Sequence, residues 1–140
     1  MCFYCYIEHQ KECKVPLNED WAKNKFDIDL AFGKKGEELI ASIFEGKGKI
    51  EVKTERDIWK TTGNVAIEYS CRGKPSGLST TEADWWFHLF TIDGEMEFAL
   101  LFKVLKLKKQ VKTLWNKCRH VDGGDDNASK MILIPIQELL

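Results

Sequence analysis

Glu51 and Lys53 stand two residues apart in Ile50-Glu51-Val52-Lys53-Thr54, a run whose β-branched residues predict a strand. Side chains alternate along a strand, so these two leave the same face about 7 Å apart. A carboxylate on such a face can hold a hard divalent cation such as Mg²⁺. The neighbouring ammonium can orient an attacking water or neutralise a phosphate. An isolated Glu-x-Lys is equally what an ordinary solvated strand carries. The elements around it therefore decide what the pair is for.

Upstream, Phe32 to Phe44 repeats apolar residues at 39, 40, 43 and 44 on a helical period. This predicts a short amphipathic helix that ends at Gly46 and opens with Glu37 and Glu38 in its first turn, where the helix dipole favours acids. Downstream, Asn64 to Ser70 reads as a second strand, with Asn64, Ala66, Glu68 and Ser70 on one face and Val65, Ile67 and Tyr69 on the other. The polar run that ends in Gly63-Asn64 would let it pair with the first strand, so that Glu68 faces Glu51. A brief helix is expected within 76–84, where a Ser or Thr cap is followed by Glu82. Strands at Trp85 to Thr91 and Glu97 to Phe102 surround a turn at Asp93-Gly94. An amphipathic helix over Lys103 to Lys117 and a last strand at Met131 to Ile136 follow, and Gly123 to Asn127 reads as a turn.

Between about Phe26 and Phe102 this order resembles the PD-(D/E)xK nuclease superfamily, most of all its Holliday-junction-resolvase-like and phage-encoded branches. The resemblance rests on Gly36-Glu37 in a helix, on Glu51-Val52-Lys53-Thr54, and on the strand, short polar helix and strand after them. It implies a restriction-endonuclease-like α/β fold with a central mixed β-sheet flanked by helices. It also implies Mg²⁺- or Mn²⁺-dependent hydrolysis of DNA phosphodiester bonds by an endonuclease of resolvase type. Glu51 would bind metal, Lys53 would assist the attacking water, and Glu37 would be the helix acid, with Glu38 as its substitute. The Asp that the family usually carries before its Glu-x-Lys is missing, and Gly46-Lys47-Gly48-Lys49 stands there instead. Glu68 completes the cluster most simply, from a hairpin neighbour, and Asp29 or Glu45 are the alternatives. Carboxylates gathered this way without metal would raise one another's pKa, so the empty site is expected to destabilise the fold.

The 140-residue chain has five Trp and eight Phe, enough for one ordinary core. Residues 1–25 read as an N-terminal extension and residues 26–140 as the nuclease-like domain. A net charge of −1 says little about nucleic acid, because the distribution of charge matters more than its total. Arg56, Lys60, Arg72 and Lys74 lie on loops around the proposed site and are the first candidates for DNA contacts. Lys103, Lys106, Lys108, Lys109, Lys112, Lys117 and Arg119 crowd the last helix, either as a second phosphate track or as a solvated face. Trp59 either stacks on a base or tucks beneath the strands, and His88 is expected to be packed or partly exposed.

Five cysteines, an odd number, with no signal peptide and no membrane-length apolar stretch, point to a reducing cytosol, which the resemblance implies is that of a bacterium or a phage-infected host cell. Cys2, Cys5, His9 and Cys13 have a spacing like that of a zinc knuckle and are a candidate Zn²⁺ site, the alternative being an apolar arm. Two further functions remain beside the nuclease. One is a nuclease-fold protein that binds nucleic acid without cutting it, and the other is a small zinc-stabilised DNA-binding protein. DNA is the expected partner, with no membrane. A homodimer would suit a junction with two symmetric strands.

Overall fold

The computed structural model describes residues 19–140, with side chains from residue 30 onward. The candidate zinc ligands Cys2, Cys5, His9 and Cys13 lie outside the described residues. The chain divides into two compact units, the first ending at Glu45 and the second running from Gly46 to Leu140.

The first described element is α1 (Glu19–Phe44), a helix of 26 residues. It begins well before the short helix expected from the 39, 40, 43, 44 pattern, because Gly33 and Gly36 are tolerated inside it. Each glycine costs about 1 kcal/mol against alanine in a helix interior, too little to end a helix of this length. Glu37 and Glu38 therefore lie far from its first turn, and dipole compensation does not account for them. Both are exposed. The helix stops at Gly46, whose φ of +82° suits a residue without Cβ.

The second unit is α/β, with two sheets in place of one central mixed sheet. β1 (Ile50–Glu55) is followed by the one-turn helix α2 (Ile58–Thr62), β2 (Asn64–Cys71) and the two-residue β3 (Lys74–Pro75). A 3₁₀ turn at Gly77–Ser79 then leads to β4 (Trp85–Ile92), β5 (Glu95–Lys103) and helix α3 (Val104–Leu114). The chain ends with β6 (Arg119–Gly123), a 3₁₀ turn at Asp125–Asn127, β7 (Ser129–Pro135) and a last 3₁₀ turn at Ile136–Leu139. The brief helix expected within 76–84 is only the 3₁₀ turn.

The expected pairing of the Glu-x-Lys strand with the Glu68 strand does not occur. β1 runs parallel beside β4, with Glu51 opposite Trp86, Lys53 opposite His88 and Glu55 opposite Phe90. β4 pairs antiparallel with β5, completing a three-stranded mixed sheet. β2 belongs to an antiparallel sheet of order β3-β2-β7-β6. The physical reason is in the link: residues 58–62 coil into α2 and close on Gly63, whose left-handed φ of +67° ends the turn. A tight hairpin has no place for that helix. β6 went unread in the sequence, since Arg119-His120-Val121-Asp122-Gly123 has a single apolar side chain. Its pairing with β7 supplies the order that its own sequence does not.

The core gathers Val65 and Ile67 of β2, Trp86 and Phe90 of β4, Ile132 and Ile134 of β7, and Val104, Leu107, Val111 and Leu114 of α3. The last four follow the i, i+3, i+7, i+10 spacing that sets one face of a helix against a core. Trp59 of α2 joins the core edge-on to Phe90 and Phe98, at centroid distances of 5.5 and 5.3 Å, and its indole N–H donates to the Thr91 carbonyl at 2.8 Å. It is thus a packing residue and does not offer a free ring for a base.

Candidate active site

β1 is inverted with respect to ordinary patterning. Ile50 and Val52 are 37% and 53% exposed, while Glu51, Lys53 and Glu55 on the other face are half-buried. The inward face is polar because its charges are answered there. Lys53 Nζ lies 2.7 Å from Glu51 Oε1, and Thr81 Oγ1 donates to the second Glu51 oxygen at 2.9 Å. The Lys53 ammonium also stands 5.6 Å from the centroid of the buried Trp86 ring, within reach of the attraction between a cation and an indole face.

Glu68 approaches the same lysine from the other sheet. The β2–β7 register shifts between Glu68 and Ser70, a bulge that re-aims side chains beside it. Both carboxylate oxygens are satisfied: Ser76 Oγ donates to Oε1 and Ser129 Oγ to Oε2, each at 2.6 Å. Ser76 is held by its own N–H donating to the Tyr69 carbonyl, and the chain then passes close to β2 at Gly77. A Cβ on Gly77 would stand 2.4 Å from the Glu68 carbonyl oxygen, and its φ is +54°, so only glycine fits this turn.

These contacts set the electrostatics. Glu51 is held below its ordinary pKa of 4.5, first by the hydrogen bond from Lys53, then by Thr81 and by the lysine charge, against the opposing effect of burial. Glu68 is also held low, by Ser129 and Ser76 first and by the Lys53 charge last. The expected mutual elevation of carboxylate pKa values is therefore overturned. The cation and the hydroxyls outweigh any repulsion between the acids.

β1 and β2 share no ladder, yet one side chain joins them. Glu55, two residues beyond Lys53 on the same face, accepts the Ala66 backbone N–H of β2 at 2.7 Å. Beside it His88 is 2% exposed. Its Nδ1 accepts the Trp86 indole N–H at 3.1 Å, which requires Nδ1 without a proton and puts the ring proton on Nε2. Nε2 lies 3.4 Å from Glu55 Oε1 without making a hydrogen bond.

The structure thus gathers Glu51, Lys53 and Glu68. Glu37 belongs to the first unit and is exposed. Arg56 follows β1, Lys60 is in α2, Arg72 lies in the β2–β3 turn with φ +50°, and Lys74 is in β3; all four are exposed. Among the described residues no three His, Cys, Asp or Glu side chains are grouped to hold a metal ion. Sequence reasoning missed Glu55, Ser76, Thr81 and Ser129. Glu55 was within reach, since it has the same strand parity as Glu51 and Lys53. The hydroxyls come from separate segments and left no local signal. No family model matches the chain, and no curated protein or solved structure matches it either. No described helix is long and apolar enough to cross a membrane.

Proposed function

We propose that the second unit is a restriction-endonuclease-like core and that the protein is a divalent-metal-dependent DNA endonuclease, with Glu51, Lys53 and Glu68 as its reaction centre. The observation that carries this reading is the position of Lys53, bonded to one half-buried carboxylate and close enough to lower the pKa of a second. Mg²⁺ needs only one or two protein carboxylates when waters and substrate phosphate complete its shell. Glu51 and Glu68 would hold such a hydrated ion together with the substrate. When bound, the ion would supply charge against the developing phosphorane and lower the pKa of a water. Lys53 would leave Glu51 to neutralise a non-bridging phosphate oxygen and orient the attacking water. That water gives up a proton to solvent as its oxygen bonds to phosphorus, the P–O ester bond opposite it breaks, and the leaving oxygen takes up a proton from solvent, so that the diester becomes a phosphate monoester and a hydroxyl.

The test is cleavage of a panel of four-way junction, linear duplex, supercoiled plasmid and single strand with Mg²⁺ or Mn²⁺. Lys53→Ala is expected to reduce the rate by about 10²–10³-fold, as removal of a transition-state charge partner does. Glu51→Ala should abolish it. The panel also identifies the DNA structure that is cut.

A second reading, a nuclease-fold protein that binds nucleic acid without cutting, is favoured by one observation. Each oxygen of both carboxylates already has a partner, with which a bound ion would have to compete. Intact binding with no cutting of any substrate would establish it.

A further inference from the structure

Seven of the 21 basic residues and none of the 22 acids fall within residues 103–119, although the whole chain carries −1. Helix α3 holds four of them in eleven residues. A solvated helix face ordinarily mixes signs, and cations in the first turn oppose the helix dipole, so helix stability does not explain Lys103 and Lys106. Two clefts run along this face and share Lys106. One, about 760 Å³, is lined by Lys47, Lys103, Lys106 and Lys108 together with Thr81, Asp84 and Trp85. The other, about 510 Å³, is lined by Lys106, Lys109 and Lys117.

The acids along these clefts are few and partly engaged. Asp84 accepts the Lys49 backbone N–H at 2.9 Å, Glu82 lies 3.7 Å from the Lys49 ammonium, and Glu138 stands at the far end. Lys103 Nζ sits 5.6 Å from the Trp85 ring centroid at the cleft wall. The first cleft leads to the reaction centre through one residue. The Thr81 carbonyl receives Lys108 Nζ at 3.4 Å, while its hydroxyl donates to Glu51.

We propose that this double cleft on α3 binds the phosphodiester backbone of a nucleic acid strand and delivers it past Thr81 to Glu51 and Lys53. It would do so in preference to Arg56, Lys60, Arg72 and Lys74, which lie between β1 and β3. Lys103, Lys106 and Lys109 rise about 9 Å along the helix. At 3.4 Å per phosphate on a duplex strand, they meet about three phosphates. The part of the proposal that concerns delivery rests on the nuclease reading, and the binding part does not.

The experiment measures binding of a labelled DNA duplex and a labelled single strand by fluorescence anisotropy, in chelator, from 50 to 200 mM salt. The parent chain is compared with Lys103→Gln/Lys106→Gln/Lys109→Gln, the matching Lys→Arg triple variant, and Arg72→Gln/Lys74→Gln, with thermal melts confirming that each folds. The Gln triple variant is expected to flatten the log–log salt slope by about 3 and the double variant by less, since each lysine released from a phosphate removes about 1 from the slope. The Arg triple variant should restore the parent slope. An unchanged slope in the Gln triple variant, absence of DNA binding by the parent, or equal competition by polyglutamate would each overturn the proposal. Cutting whose salt dependence ignores the triple variant defeats the cleft and leaves the nuclease standing. Cleft-dependent binding with no cutting does the reverse.

Discussion

Lys53 serves two carboxylates unequally, and that inequality is measurable. It is the first cause of the lowered pKa of Glu51 and the last of the causes acting on Glu68. Lys53→Met is therefore expected to move Glu51 back toward 4.5 by more than it moves Glu68, whereas Ser129→Ala should move Glu68 and leave Glu51 in place. Carboxylate ¹³C chemical shifts followed through an acid titration read both. Because both folded-state values are depressed, these acids contribute stability that is complete above the ordinary carboxylate range. It is lost as pH falls through 4.5 toward the folded values. The parent should thus lose stability on acidification through that window, and Lys53→Met should lose less there. Equal acid sensitivity in the two proteins would show that the pair is not coupled in solution. Thr81 and the two serines help hold both acids below their ordinary pKa, and they were not legible in the sequence. A hydroxyl 30 or 61 positions from its acid has no periodicity to announce it, and only the 2.9 and 2.6 Å contacts identify Thr81 and Ser129 as partners.

At the scale of elements, β1 and β2 present their functional side chains to one another from two different sheets. No ladder fixes their separation, and Glu55 supplies a bond where a ladder is missing. Its side chain is 12% exposed, so the Ala66 N–H it accepts would gain little from solvent if it were removed. Glu55→Ala is expected to lower stability by about 1–3 kcal/mol, the cost of a half-buried donor left unpaired. Glu55→Gln keeps an acceptor oxygen and should recover most of that loss in urea denaturation. Equal losses in the two variants would make the charge, not the bond, the cause. The alternation of β1 was readable and put Glu51 and Lys53 on one face, as found. The partner of β1 was not readable, because strand pairing depends on which edge the chain reaches after α2. A β-branched run carries no record of that. Helix α3 was readable from its apolar positions 104, 105, 107, 111, 114 and 115, of which Leu105 and Trp115 are exposed and the other four are buried. The start of α1 was not, since two glycines look like a boundary from the sequence and are overridden by the residues on either side.

For the whole molecule, every residue of the buried cluster lies between Val65 and Leu139, inside the second unit. A chain cut to residues 46–140 keeps both sheets, α3, Trp59, Trp85, Trp86 and the trio Glu51, Lys53 and Glu68. Domains of this size support a single core. The fragment is therefore expected to unfold in one cooperative urea transition, with near-UV circular dichroism from its packed tryptophans. A broad transition without a near-UV signal would mean that the second unit depends on residues before Gly46 for its order. If the fragment folds, its reactions separate two contributions. DNA binding through the α3 clefts needs nothing before Lys47 and should survive the cut with its salt slope unchanged. Cutting tests more. The resemblance gives Glu37 a metal-binding part, so a fragment that binds DNA and does not cut, together with a full chain silenced by Glu37→Ala at unaltered melting temperature, would assign that part to the helix acid. A fragment that cuts at the full rate would show Glu51, Lys53 and Glu68 to be sufficient. Glu37 would then be a surface residue of α1.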